Sequence, residues 1–365
     1  MIKKIFLFTT IFISILLITI FLIFRNRLKS SAKFVADFST GQVSLKETEG
    51  RTNILLFGVD TRDKKYLQTG TLTDSIIIAS LNFKKMNVRL LSVPRDLWVI
   101  YKGRGSKINE VYTLNKNDIN SLKDVIQDTL GIQIHYTAQI DFKGFEKLID
   151  TLGGIDINNP YEFTDNFYPK FGWENETCGI DVEKLKKEKE KKGKELSEYD
   201  FPCRFETISF KKGLIHLNGE QALKYARSRH SYNINQGTDF ARAKRQHLVI
   251  TAVKDKLLKS ENILNPNKFR ELYANFTKMI KTDVPISTVI AIIPQINKED
   301  IANIKIDSAV LSDRGTFEEG GILVRGDPNK YGGRYVLVPK QEDSIKSFVS
   351  YYFYSQNLKQ EPTKE

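Results

Sequence analysis

From Ile5 to Phe24 the chain runs without a charge, a proline or a glycine. As a helix rising ~1.5 Å per residue, such a run spans ~30 Å, the hydrocarbon thickness of a bilayer. Lys3 and Lys4 ahead of it would also suit the basic start of a secretory signal. The run is long for a signal core, however, and Arg25, Asn26 and Arg27 come first where a small-residue cleavage site belongs. The expectation is an uncleaved transmembrane anchor over residues 5–24, with residues 1–4 as a short cytoplasmic tail. Arg25, Arg27, Lys29 and Lys33 oppose an outward-facing domain on a positive-inside count. A short leading tail with one apolar segment is nevertheless the layout of a signal anchor, and large trailing domains cross largely regardless of charge. The chain is therefore read as single-pass in the cell membrane, its N-terminus cytoplasmic and its globular part extracytoplasmic.

Lys and Arg number 56 against 44 Asp and Glu, and the resulting charge of +12 points to an anionic partner. Nucleic acid, an acidic membrane surface and a phosphorylated polymer all qualify. Nucleic acid fits poorly, since the anchor places the domain outside and no recognition motif is present. The two cysteines, Cys178 and Cys203, flank a segment dense in Lys and Glu with little to bury. A disulfide would close that loop in an oxidising compartment; two unpaired thiols are the alternative. Two cysteines without clustered histidines do not make a zinc site.

Residues 25–50 are polar and read as a linker. NILLFGVD (Asn53 to Asp60), SIIIASLN (Ser75 to Asn82) and VRLLSVP (Val88 to Pro94) are short apolar runs that predict buried strands. The polar turn FKKMN joins the last two. INSLKDVIQDTLG predicts a helix stopped by its glycine. DFKGFEKLIDTLGG predicts another, with Phe142, Phe145, Leu148, Ile149 and Leu152 on one stripe. GIDINNP follows as a strand and ISFKKGLIHLN as a strand–turn unit. A helix is expected to start near Gly219, then a strand-like ALKYARSR, then a long helix from about Phe240 to Lys259. VPISTVIAIIPQI reads as helix running into a break, ILVRGDPNKYGGRYVLVPK as a hairpin and IKSFVSYYF as a closing helix. Strands alternating with helices imply an α/β fold: a layered α-β-α domain with a central mixed sheet. It is expected over 51–260, with a Cys-flanked insertion at about 164–207 and an extension over 261–365 packed on the same domain.

Asp60 ends the first strand and Asp74 precedes the second, where groups collect at strand ends to meet a ligand. Brought together they would repel, and a hard cation resolves that repulsion while keeping room for phosphate oxygens. Spacing alone favours the bland reading, a strand-end turn aspartate and a separate cap or loop aspartate. In YARSR, a strand would project Arg227 and Arg229 from one face. In DFARAKRQ, Arg242 and Gln246 share a helix face, Asp239 lies one turn earlier, and Arg245 adds a cation. Guanidinium groups bind phosphate through paired donors, so this set suits a pyrophosphate; a solvated basic face is the bland alternative. Arg95 in SVPRD and Lys107 in KIN extend it. No GxSxG, P-loop or HExxH is present, which leaves carboxylates and arginines, the parts for phosphoryl transfer.

These residues resemble the LytR-CpsA-Psr family of cell-wall glycopolymer ligases. The motifs are NILLFGVDTR, LTDSIIIASLN, VRLLSVPRDLWV, KINEVY, DFKGFEKLIDTLGGIDI, GLIHLNGEQALKYARSRH and TDFARAKRQ, covering about Thr52 to Leu258. The resemblance implies a membrane-anchored enzyme that moves a glycopolymer from a polyprenyl pyrophosphate carrier to peptidoglycan or another wall acceptor. It implies that Asp60 and Asp74 bind Mg²⁺ or Mn²⁺. Arg95, Arg227, Arg229, Arg242 and Gln246 would bind the pyrophosphate, with Lys107 and Arg245 added from the sequence and Asp239 as an acidic member. It further implies an apolar tunnel for the polyprenyl tail. The Phe142–Leu152 stripe is a wall of that tunnel or ordinary core. Many members carry an Arg where this chain has Leu72. A hydrolase of the same lipid-linked glycan, or a non-catalytic binder that senses it, would use the same residues.

Overall fold

The structure, a computed structural model, describes residues 45–59, 72–233, 235–259, 277–285 and 304–355. The run Ile5–Phe24, Asp60 and most of VPISTVIAIIPQI lie outside them. Among the described residues no helix is long and apolar enough to cross a membrane. Every strand and helix named below belongs to one compact unit, Glu47–Val284 with Lys298–Glu365.

In chain order the strands are β1 (Thr52–Val59), β2 (Thr73–Asn82), β3 (Asn87–Ser92), β4 (Trp98–Tyr101), β5 (Arg104–Lys107), β6 (Tyr136–Asp141), β7 (Ile155–Asn159), β8 (Phe163–Pro169), β9 (Phe205–Phe210), β10 (Gly213–Leu217), β11 (Ile280–Thr282), β12 (Lys305–Val310), β13 (Leu323–Arg325) and β14 (Leu337–Pro339). The helices are α1 (Ile108–Leu114), α2 (Ile119–Leu130), α3 (Phe142–Thr151), α4 (Val182–Lys191), α5 (Gly219–Arg227), α6 (Asp239–Lys259) and α7 (Ser344–Tyr354). The main sheet has the order β11-β6-β1-β2-β3-β12. β1 runs parallel to β6 and β3 parallel to β12, while the other pairs are antiparallel. It is the mixed sheet the sequence predicts.

Alternation along β1 assigns its two faces. Leu55, Phe57 and Val59 pack with Val111 of α1, Leu122 and Ile126 of α2, and Phe348 and Phe353 of α7. Ile54 and Leu56 point the other way, with Ile77, Ala79 and Leu90, against Ile250 of α6. Helices therefore cover both faces, which is why the central strands are apolar almost throughout. A second core, around Ile149, Ile157, Phe163, Tyr225 and Val249, joins α3, α5 and α6 to the small pairs β7–β10 and β8–β9. Gly131 ends α2 in the left-handed region, its N–H bonded to the Gln127 carbonyl. At Gly154, φ is +81° and a Cβ would lie 2.4 Å from His216 Nε2, so only glycine lets β7 pack against β10.

One local expectation changes. ALKYARSR is not a strand: it continues α5 to Arg227. Asn218 and Gln221 form a reciprocal capping box, and Ala222, Tyr225 and Ala226 recur at helical spacing on the buried face. The strands in ISFKKGLIHLN do not pair with each other; β9 joins β8 and β10 joins β7. The Lys/Glu-rich excursion contains a formed helix, α4, capped by the Asp181 carboxylate, and Cys178 is disulfide-bonded to Cys203. Beyond residue 260, β11 and β12 complete the two edges of the sheet and α7 covers one face.

Candidate functional site

The start of β2, the loop after β3 and the start of α6 meet at one end of the sheet. β2 delivers Asp74, the β3 loop delivers Arg95 and Asp96, and α6 delivers Asp239, Arg242 and Gln246. Arg95 Nη1 donates to Asp74 Oδ1 at 3.0 Å, and its Nε lies 3.3 Å from Asp239 Oδ2 and 3.7 Å from Asp96 Oδ2. Asp239 Oδ1 also faces Arg242 Nη1 at 3.3 Å and Arg229 Nη1 at 3.6 Å. Arg242 Nη2 donates to the Asp74 carbonyl at 3.0 Å. Asp239 sits at the first position of α6, where the helix dipole favours a carboxylate.

The charges hold one another. Burial opposes ionisation of Asp74, but Arg95, Arg242 and Arg229 outweigh it and hold its pKa below the ordinary value. Asp239 is shifted the same way: burial opposes, and Arg242, Arg95 and Arg229 prevail. Burial lowers Arg242 to about 10, which leaves it protonated at neutral pH. One donor is left over. Arg242 Nε is buried without a hydrogen-bond partner among the described residues, whereas Arg95 Nε already faces the Asp239 carboxylate. A buried donor without an acceptor costs about 1–3 kcal/mol, and an anionic ligand oxygen would relieve it.

Beside this cluster lies an apolar cavity of about 250 Å³. Its walls include Ile140 of β6, Phe142, Phe145 and Leu148 of α3, Ile250 of α6 and Ile280 of β11. Ser75 and Gln246 border both the cavity and the charged cluster. The α3 stripe is thus divided: three residues line the cavity, while Ile149 is fully buried in the second core.

The arginines expected to converge separate into three settings. Arg95, Arg229 and Arg242 meet around Asp239. Arg227 ends α5 over the Phe142 ring, 4.0 Å from its centroid, and donates to the Tyr168 hydroxyl at 3.0 Å, on the cavity wall. It does not share a face with Arg229, because the chain leaves the helix between them at Ser228. Arg245 is turned inward and bonds the carbonyls of Tyr225, Gln236 and Ser228, tying the α5–α6 loop to the helix. Its donors are already used, so its place is structural. Lys107 reaches Asp96 at 2.5 Å, and Gln246 donates to Ser75 Oγ at 2.8 Å. Asp60 lies outside the described residues; Leu72, before β2, is half-buried.

Sequence reasoning overlooked three polar groups. Asp96 joins Arg95 to Lys107, and its adjacency to Arg95 in PRD was the available signal. Ser92 Oγ pairs with the buried His247 Nε2 at 2.8 Å behind the cluster. Asp165 of β8, fully buried, accepts from Ser228 Oγ and from the N–H groups of Phe167, Arg229 and His230. Nothing in its local sequence sets Asp165 apart.

The sequence profile of the LytR_cpsA_psr family matches residues 19–327. The chain is 30% identical over 244 residues to the polyisoprenyl-teichoic acid–peptidoglycan teichoic acid transferase TagV of Bacillus subtilis, covering 66% of this chain and 51% of TagV. It thus spans about half of that relative's length. It is 27% identical over 370 residues to biofilm regulatory protein A of Streptococcus mutans, covering 93% of this chain and 80% of that protein. The fold is similar to the crystal structure of B. subtilis TagV, with a TM-score of 0.56 at 23% identity, over 84% of this chain and 98% of that one.

Proposed function

The chain belongs to the LytR_cpsA_psr family, and from that premise we propose that it is a membrane-anchored phosphotransferase moving a glycopolymer from a polyprenyl pyrophosphate carrier to peptidoglycan or another wall acceptor. The observation that carries this reading is the convergence of Arg95, Arg229 and Arg242, with the Arg242 Nε donor unanswered, beside an apolar cavity. A ligand that answers both features has phosphate at one end and hydrocarbon at the other.

The pyrophosphate sits among Arg95, Arg229 and Arg242, with the polyprenyl chain running into the cavity past Gln246 and Ser75. Arg227, at the cavity wall, lies where the lipid joins the phosphate. Asp74 is the described residue suited to Mg²⁺ or Mn²⁺: it is held ionised, its side chain is 37% exposed, and its Oδ2 makes no ion pair among the described residues. No group of three His, Cys, Asp or Glu side chains able to hold a metal converges among the described residues. Mg²⁺ needs only one or two protein carboxylates beside phosphate oxygens and water. Asp60 is the second carboxylate the family resemblance implies. The metal supplies charge neutralisation on the phosphate oxygens.

The wall hydroxyl attacks the glycan-proximal phosphorus, the bond to the polyprenyl phosphate oxygen breaks, and polyprenyl phosphate leaves. Arg95 and Arg242 stabilise the charge that develops on the phosphoryl oxygens; each such donor is worth about 3–4 kcal/mol at comparable sites. Asp239 keeps the three guanidinium groups converged without ligand. Its lowered pKa makes it a weak base, which suffices where the transition state is loose and the hydroxyl proton departs late. Leu72 adds no charge at its position, so the clamp rests on these three arginines.

The test is a transfer assay with the full chain in detergent, a synthetic polyprenyl-pyrophosphate glycan and peptidoglycan fragments, run with Mg²⁺ or EDTA and with Asp74→Ala. Metal-dependent glycan phosphate on the wall fragment, absent in the variant, establishes the activity. Free glycan phosphate without transfer replaces it with a hydrolase, and lipid binding without turnover with a sensor.

A further inference from the structure

Four rings from three segments of chain meet beside the arginine cluster. Tyr199, in the Cys-flanked excursion, stacks on Phe205 of β9 with centroids 5.6 Å apart and planes 16° apart. Phe167 of β8 meets Tyr199 edge-on at 5.2 Å, and His230 meets it at 6.2 Å. Tyr199 nonetheless remains 45% exposed. His230 directly follows Arg229, the arginine that faces Asp239.

The platform is fixed from two directions. Cys178–Cys203 ties the excursion to its own base, and the Lys189–Asp200 ion pair at 2.5 Å pins the residue next to Tyr199. Asp165 binds the N–H groups of Arg229 and His230, so β8 and the arginine loop are joined by one carboxylate. Ordering an aromatic side chain and leaving nearly half of the residue in water gives up burial energy that packing would recover. A ligand that packs on the exposed surface recovers it. Its surroundings are charged, with Arg229, Lys189 and Asp200 at hand, whereas the hydrocarbon of the donor has the separate cavity. A pyranose ring matches both conditions, with C–H bonds on its face and hydroxyls at its edge.

We propose that Tyr199, on the platform of Phe167, Phe205 and His230, is a subsite for a pyranose ring of the wall glycan next to the phosphate clamp. This rests on the phosphotransferase reading of the arginine cluster. The ring belongs either to the acceptor or to the first sugars of the donor, and both share the stacking chemistry.

The experiment is saturation-transfer NMR and calorimetry on the full chain in detergent, with the wild type, Tyr199→Ala and Tyr199→Phe. The probes are chitohexaose for the acceptor, a lipid-free glycan pyrophosphate for the donor, and a wall stem pentapeptide. Tyr199→Ala is expected to weaken one glycan probe about tenfold, the worth of one stacked ring, while Tyr199→Phe stays within about twofold. The probe that weakens identifies the source. Equal binding of both glycan probes by wild type and Tyr199→Ala overturns the proposal. So does wild-type binding of neither glycan, or Tyr199 dependence confined to the pentapeptide. Binding is read without turnover, so a chain that binds sugar and fails to transfer counts only against the phosphotransferase reading.

Discussion

Asp165 Oδ2 accepts the Ser228 hydroxyl at 2.7 Å, linking β8 to the loop that carries Arg229. The same oxygen takes the N–H groups of Arg229 at 3.1 Å and His230 at 3.0 Å. The loop geometry that aims one arginine at Asp239 is therefore set by a carboxylate that touches no substrate.

Replacing Asp165 with alanine strands these donors in the interior. The expected loss is about 3 kcal/mol or more, given roughly 1–3 kcal/mol per unsatisfied buried group. Asp165→Asn keeps one acceptor and should lose less. Chemical unfolding of the full chain in detergent measures it, and an unchanged midpoint for Asp165→Ala would contradict the assignment.

Arg229 and Arg245 lie close in sequence and should behave oppositely. Arg229→Gln should cut transfer by about 10²–10³-fold with stability nearly intact, as for a lost transition-state donor. Arg245→Gln should destabilise by about 2 kcal/mol or more, because three backbone carbonyls lose their donor. The reverse pattern would return Arg245 to the clamp.

His247 sets an acid limit on stability. Burial, aided by Lys244, depresses its pKa from 6.5 to about 4. Between those values the unfolded chain binds a proton that the folded chain refuses, so stability falls as pH drops from 6.5 to about 4 and then levels. The lowered pKa values of Asp74 and Asp239 act below that window: their contribution is present above the ordinary carboxylate pKa and is lost as pH falls through the folded value. His247→Gln should flatten the upper limb and leave the lower one. Melting temperature against pH reads both.

Filling the cavity should separate lipid binding from chemistry. Ala138 lines it from β6, and Ala138→Phe would occupy part of its volume of about 250 Å³. The KM for a long-chain donor should rise about tenfold, equivalent to roughly 1.4 kcal/mol of lost binding. A donor with a short water-soluble chain should be turned over as before. Equal effects on both donors would mean the chain does not enter there.

The Cys178–Cys203 disulfide spans a separation of 25 residues. On the chain-entropy account a loop of that size contributes about 3 kcal/mol. Cys178→Ser with Cys203→Ser should release the excursion before the main sheet unfolds, seen as early loss of amide protection over α4. Simultaneous loss everywhere would show the excursion to be integral to global folding.

Local patterns in the chain were sufficient for much of this architecture. Apolar runs marked β1, β2 and β3 because strands buried on both faces leave no alternation to misread. Gly131 marked the end of α2 because a left-handed residue is needed there. ALKYARSR misled because the spacing of Arg227 and Arg229 suits a strand, while the Asn218–Gln221 cap and three buried side chains favour a helix. The sign of charge at the site was equally visible, in Arg95, Asp239 and Arg242.

What pairing alone could not reveal was direction. Arg242 and Arg245 stand three apart on one helix, yet one turns to Asp74 and the other to the backbone of α5 and the α5–α6 loop. The α3 stripe likewise holds cavity wall and core within a single turn. Periodicity tells which side chains share a face, and only the packing of distant strands and helices decides what that face meets. Asp165 shows the limit most plainly, since three of its four partners lie more than sixty residues along the chain, at the end of α5 and in the loop after it.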